Sequence, residues 1–113
     1  MKSYYNYLIK KSRNTLLKLI SIRGEGADIQ AKRILKPCSM EVVETVNIIM
    51  ILGRDYYDEE VETVQNPANV FKSYYDEHWI DNPKLKAGEI AFLVSNRNLA
   101  YYLQAGMQAL GIQ

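Results

Sequence analysis

The chain has 113 residues and a mass of 13.0 kDa, which is the size of one compact domain. Hydrophobic residues make up 48% and charged residues 24%, a globular composition that excludes a disordered or collagen-like chain. Fourteen basic and thirteen acidic residues give a net charge of +1, which argues against a nucleic-acid-binding protein whose whole surface is positively charged. One cysteine and one histidine exclude a disulfide framework and a cysteine-rich zinc cluster.

No export or membrane segment is predicted. The apolar run near the N-terminus is broken by polar residues at 10–14, which leaves no signal-peptide core. The most apolar stretch, residues 42–52, is only about half of the roughly 20 residues that a bilayer crossing needs. We therefore expect a soluble cytoplasmic protein, and the single thiol of Cys38 agrees with a reducing compartment.

The first third of the chain predicts two helices. Apolar residues recur at helical spacing from Tyr5 to Ile20, which indicates one long amphipathic helix ending near Gly24 and Gly26. A short second helix is predicted to start at Asp28, its candidate cap, and to stop before the proline at 37.

The third helix is predicted to be the centre of the fold. Ser39 is its candidate N-cap, and the turns at 48–52 are apolar on every side. A helix that is apolar all round belongs in the middle of a bundle. Gly53 is predicted to end this helix, with 54–57 as the connection that follows.

The rest of the chain predicts further helices. Asp58 is a candidate N-cap, and Asn66 with Pro67 suits the start of another helix, because proline is tolerated at the first helical position. Residues 81–83 interrupt the pattern before a C-terminal helical hairpin, whose second arm is predicted to be capped by Ser95 or Asn96. Gly106 on the apolar stripe of that arm indicates close helix packing. The expected fold is a single all-α domain over 1–113, a compact bundle of five or six helices with a central apolar helix.

Charge is divided unevenly along the chain. Residues 1–36 hold nine basic and two acidic residues, a net of +7, and residues 37–113 hold five basic and eleven acidic, a net of −6. Such asymmetry can mark a surface for an anionic partner. The near-zero total favours the other interpretation, in which the basic helix lies against acidic residues of the same molecule or of a second copy.

His78 is the only histidine of the sequence and the obvious catalytic candidate, because an imidazole is suited to proton transfer near neutral pH. Asp81, one turn later, could hold its ring, whereas Glu77 points about 100° away. A metal site built on His78 would need carboxylates for most of its ligands. A packed or hydrogen-bonded histidine is the favoured interpretation, and no catalytic residue, cofactor or metal site is assigned.

Three other features have structural explanations. The acidic run at 55–62 lacks the alternating ligands and the glycine of a calcium loop. Cys38 has no paired cysteine or neighbouring histidine to activate it. The glycines at 24 and 26 have no phosphate-loop lysine beside them and indicate a hinge.

Eight of the nine tyrosines stand in doublets, at 4–5, 56–57, 74–75 and 101–102. Neighbours on a helix point about 100° apart, so one ring of a doublet can be buried while the other reaches the surface. Half-exposed tyrosines are frequent at protein interfaces and equally at the edges of cores, and the sequence does not separate the two. The hairpin at 89–104 offers too few basic residues for a DNA-reading unit.

An apolar helix that runs into a Leu-Gly-Arg turn is followed by a spaced C-terminal Tyr-Leu, Gly and Leu-Gly pattern. The residues of this combination are Leu52, Gly53, Arg54, Asp55, Tyr56, Phe92, Leu93, Leu99, Ala100, Tyr102, Leu103, Gly106, Met107, Leu110 and Gly111. With this combination, residues 40–111 resemble an uncharacterised bacterial domain-of-unknown-function family. The resemblance implies a helical fold and a bacterial source, and it implies no activity, substrate or catalytic residue.

The favoured function is that of a small non-enzymatic protein-interaction or regulatory module. Its expected partner is a protein, and a second copy of the chain, giving a homodimer, is one such partner. Nucleic acid is disfavoured as a partner. The candidate interaction surface consists of Tyr7, Lys10, Lys11, Lys18, Arg54, Asp55, Tyr56 and Tyr57.

Two alternatives stay open. One is an enzyme whose cleft joins His78 and Asp81 with Arg54 and Asp55. The other is a binder of an anionic partner through the basic N-terminal helix, using Lys10, Lys11, Arg13 and Lys18.

Overall fold

A computed structural model describes residues 2–57, 63–79 and 84–112. These residues form helices and their connections, with no strand among them, which confirms the all-α prediction. The six helices, in chain order, are α1 (Lys2–Ile20), α2 (Ala27–Leu35), α3 (Met40–Tyr56), α4 (Pro67–Trp79), α5 (Lys86–Val94) and α6 (Leu99–Ala109).

The long amphipathic helix predicted at the N-terminus is α1. Its buried stripe includes Leu8, Leu16 and Leu19, each at most 1% exposed. Gly24 and Gly26 follow with backbone φ angles of 85° and 74°, a left-handed conformation that favours glycine. The N-cap of α2 is therefore Gly26 and not Asp28, which lies in the first turn where its negative charge complements the helix dipole.

The third helix is the core of the bundle, as predicted. Ser39 is its N-cap, and the Ser39 hydroxyl accepts a hydrogen bond from the backbone N–H of Val42 at 3.4 Å. Every residue from 42 to 50 is buried, because α1, α4, α5 and α6 all pack against α3. A continuous apolar surface can be removed from water only by such enclosure.

Gly53 does not end α3, which continues to Tyr56, so the predicted stop is wrong. The glycine instead lets α6 approach, since a β-carbon at position 53 would collide with the backbone carbonyl of Tyr102. Gly106 does the same from the opposite side, where a β-carbon would collide with the backbone of Ile49. The predicted role of Gly106 in close packing is confirmed, and α3 and α6 form the most extensive helix pair of the fold.

The C-terminal helices also begin near the predicted positions. Pro67 opens α4, as expected for a residue without an N–H. Helices α5 and α6 are joined through 95–98 and both pack on α3. The N-cap of α6 is Asn98, and neither Ser95 nor Asn96 caps it. Both of those side chains donate hydrogen bonds to the Phe92 carbonyl, at 2.7 and 2.8 Å, and so satisfy a backbone acceptor at the C-terminal end of α5.

Two predicted features lie outside the described residues: the cap at Asp58 and the interruption at 81–83. Within the described part of the chain, no helix combines the length and the apolar character that crossing a bilayer requires.

Candidate functional site

His78 lies on the inner side of α4 between two carboxylates. Its Nε2 atom is 3.2 Å from Oε2 of Glu44 on α3 and 3.1 Å from Oε1 of Glu89 on α5. The side chains of His78, Glu44 and Glu89 are 13%, 3% and 7% exposed. Three helices thus bring one imidazole and two carboxylates together in the interior, and we call these three residues the buried cluster.

Asn47, one turn after Glu44 on α3, fixes one side of the buried cluster. Its Nδ2 atom donates to Oε2 of Glu89 at 2.5 Å and lies 3.3 Å from the backbone carbonyl of the same residue. Asn47 is fully buried. The amide therefore orients the Glu89 carboxylate, so that its other oxygen, Oε1, faces His78.

The electrostatics of the buried cluster are unfavourable for two ionised carboxylates. Burial, and secondly the negative charge of Glu89, raise the pKa of Glu44 to about 8, while the cation of Lys84 acts in the opposite direction. Neither oxygen of Glu44 accepts a hydrogen bond from the described residues, although the protonated carboxyl can donate one to Glu89, and Oδ1 of Asn47 has no partner there. A buried polar atom without a partner costs free energy, so these atoms call for an explanation.

The donor atoms of the buried cluster lie close enough together for one metal ion. One atom each from Glu44, His78 and Glu89 can be chosen so that all three lie within 4.8 Å of one another. Sequence reasoning identified His78 and the need for carboxylates but did not identify Glu44, Glu89 or Asn47. The available signal was the pair Glu44 and Asn47, two polar residues one turn apart in residues 42–52, where Thr45 is the one other polar side chain.

The residues of the predicted enzyme cleft do not all meet at His78. Arg54 comes ten residues after Glu44 on the same helix, which corresponds to a rise of about 15 Å. Asp55 is exposed and accepts a hydrogen bond from the hydroxyl of Tyr74 at 2.8 Å. Asp81 lies outside the described residues. Arg54 and Asp55 are therefore separated along α3 from Glu44, which is the α3 residue close to His78.

Part of the predicted interaction surface forms a polar and aromatic patch around Glu41. Lys11 Nζ lies 2.8 Å from Oε1 of Glu41 and 3.1 Å from the hydroxyl of Tyr7. The hydroxyls of Tyr7 and Tyr4 also donate to Glu41, at 3.2 and 3.3 Å. The Tyr4 and Tyr7 rings stack with centroids 6.0 Å apart. We call Tyr4, Tyr7, Lys11 and Glu41 the Glu41 patch.

The other predicted surface residues lie elsewhere. Lys10 and Lys18 are exposed on α1. Arg54, Asp55 and Tyr56 belong to the last turn of α3, at least 13 residues and about 20 Å of helix rise beyond Glu41. Tyr57 packs its ring edge-on against Tyr102, with centroids 5.3 Å apart. The structure thus divides the predicted surface into separate regions.

Comparisons with protein-family models, with curated proteins and with solved structures gave no match. The resemblance of residues 40–111 to a bacterial family stays a prediction.

Proposed function

We propose that this chain is a small non-enzymatic protein-interaction module of the bacterial cytoplasm, and that its Glu41 patch binds a second copy of the chain. The observation that carries the proposal is the pair of stacked tyrosines in that patch. Tyr4 and Tyr7 are 39% and 46% exposed although each hydroxyl is already bound to Glu41.

The side chains of the Glu41 patch already contact one another within a single chain. Glu41 accepts hydrogen bonds from both hydroxyls and from Lys11, whose ammonium also lies 5.4 Å from the centre of the Tyr7 ring. Side chains that are already held lose little conformational entropy on binding. Exposed, pre-oriented tyrosine rings are therefore well suited to form the anchor of an interface.

A second copy is the partner whose chemistry fits best. The patch carries one cation, Lys11, and one anion, Glu41, beside two flat aromatic faces. A twofold interface requires a surface that complements itself, and a patch with both charges and stacking rings can do so. The ion pair between Lys11 and Glu41 also agrees with the interpretation in which acidic residues of the protein neutralise the basic helix. It gives less support to the alternative, in which the basic helix binds an anionic partner.

Sedimentation equilibrium on the full chain tests this proposal. We expect a species of twice the 13.0 kDa chain mass, and we expect the double variant Tyr4→Ala/Tyr7→Ala to shift it toward the monomer. Tyr101→Ala is the matched control, because Tyr101 is 45% exposed on α6 and its ring contacts Arg23, which follows the end of α1 and comes twelve residues after Lys11. A monomer at every concentration would contradict the proposal, and so would a double variant that dimerises like the wild type.

A further inference from the structure

The buried cluster of Glu44, His78 and Glu89 is independent of the Glu41 patch and needs its own explanation. Both carboxylates approach the same atom, Nε2 of His78, at 3.2 and 3.1 Å. One ring nitrogen carries at most one hydrogen, so it can direct a hydrogen bond well at only one of two acceptors. The arrangement is that of three donor atoms around a common point.

The spacing of these donor atoms suits a small divalent cation. Two ligand atoms about 2.1 Å from one ion are about 3.0 Å apart at an angle of 90° and about 3.4 Å apart at the tetrahedral angle. The distances from Nε2, 3.2 and 3.1 Å, lie between these values, and the full set of three donors stays within 4.8 Å. A cation would also neutralise the repulsion between two carboxylates that are both almost completely buried.

Buried polar atoms at the same place support the binding of a ligand. Both oxygens of Glu44, which is 2% exposed, accept no hydrogen bond from the described residues, and Oε2 lies 3.2 Å from Nε2 of His78. The Oδ1 atom of the fully buried Asn47 is unpartnered in the same way. A metal ion would engage Glu44 directly, and a water molecule on that ion is the kind of donor that Asn47 Oδ1 requires.

The donor set indicates the class of ion. One imidazole nitrogen and two carboxylate oxygens suit zinc, iron(II) or manganese(II), whereas calcium takes six to eight oxygens. Asn47 holds the second oxygen of Glu89, which is the role of an outer-shell partner that orients a ligand. We propose that Glu44, His78 and Glu89 bind one divalent transition-metal ion, with Asn47 positioning Glu89.

Titration of the metal-free full chain with Zn²⁺ and with Co²⁺ tests this proposal, using calorimetry for zinc and visible absorption for cobalt. We expect one ion per chain, d–d absorption bands from a low-coordinate cobalt centre, and a higher unfolding temperature with zinc. Glu44→Gln and His78→Gln should each weaken binding by more than about 100-fold, because outer-shell changes alone cost roughly 10- to 100-fold. Glu44→Gln keeps the size of the side chain and replaces the titratable carboxyl group with an amide, which cannot become a carboxylate ligand.

Glu77→Gln is the matched control, since Glu77 is an exposed carboxylate next to His78 on α4. It should bind both ions like the wild type. The proposal is overturned if the wild-type chain takes up no ion at the buried cluster, or if Glu44→Gln and His78→Gln bind as the wild type does. If a variant fails to fold, measurements on the wild-type chain alone test the proposal. A wild type that shows no cobalt d–d bands and no rise in unfolding temperature with zinc overturns the proposal.

Discussion

The amide of Asn47 on α3 donates a hydrogen bond to the carboxylate of Glu89 on α5, with 2.5 Å between nitrogen and oxygen. These two buried residues are 42 positions apart in the sequence, and the bond sets the direction of a carboxylate that faces His78.

Asn47→Ala should weaken zinc binding by about 10- to 100-fold, because Glu89 loses the partner that orients it while all three proposed ligands remain. Titration with zinc measures the change, and the cobalt spectrum should keep its band positions. Asn69→Ala, at an exposed asparagine of α4, is the control and should bind normally. An affinity unchanged in Asn47→Ala would show that Asn47 has no positioning role.

The metal-free protein, kept with a chelator, should lose stability as the pH rises from about 4.5 to about 8. The pKa of Glu44 is raised from 4.5 to about 8 in the folded state, so between these values the folded state binds more protons than the unfolded state. The groups that face this carboxyl are His78, Glu89 and Lys84. Urea unfolding at several pH values measures the effect.

Glu44→Gln isolates the contribution of that carboxyl, because glutamine does not titrate. As the pH rises from about 4.5 to about 8, the wild type should lose more unfolding free energy than the variant, so the difference between them should change with pH. It should become constant well below pH 4.5, where Glu44 is protonated in both states. A difference that does not vary with pH would contradict the raised pKa.

Gly53→Ala and Gly106→Ala should each lower the free energy of unfolding by about 1–3 kcal/mol, since an added methyl group would force α3 and α6 apart. Gly88→Ala on α5 is the control, because a β-carbon there meets no atom within 4 Å. That control should be neutral or more stable by up to about 1 kcal/mol through helix propensity. Equal losses at positions 53 and 88 would contradict the assigned close packing.

The two phenylalanines of the chain provide another matched pair. Phe71 is 1% exposed and packs against Tyr5, with ring centroids 5.2 Å apart, whereas Phe92 is 39% exposed. Phe71→Ala should cost about 3–5 kcal/mol, a large part of the stability of a domain this size. Phe92→Ala should cost much less, and chemical denaturation compares the two. Similar costs would show that α4 is not anchored through Phe71.

Local sequence pattern predicted much of the fold. The apolar run before Gly53 identified the central helix, and Ser39 and Pro67 identified two helix starts, because caps and periodicity are local properties. Gly53 was misjudged for a physical reason. A glycine near the end of an apolar run can either terminate a helix or allow a second helix to pack closely against it. The second helix here is α6, which comes some fifty residues later in the chain and so gives no local signal at Gly53.

The buried cluster could be predicted only in part. The sequence showed that a site at His78 would need carboxylates, but Glu44 and Glu89 reach it from two other helices. Which carboxylates turn inward depends on how those helices are rotated when they pack on one another. That rotation is fixed by the complete core and not by the spacing of residues within any one helix.

The most direct test of the metal site is anomalous X-ray diffraction, at the zinc absorption edge, from crystals of the full chain grown with Zn²⁺. We predict one anomalous peak among Oε2 of Glu44, Nε2 of His78 and Oε1 of Glu89, about 2.0–2.2 Å from each. Density in which these three side chains keep their direct contacts with no peak between them, or with zinc bound only at the surface, would contradict the account.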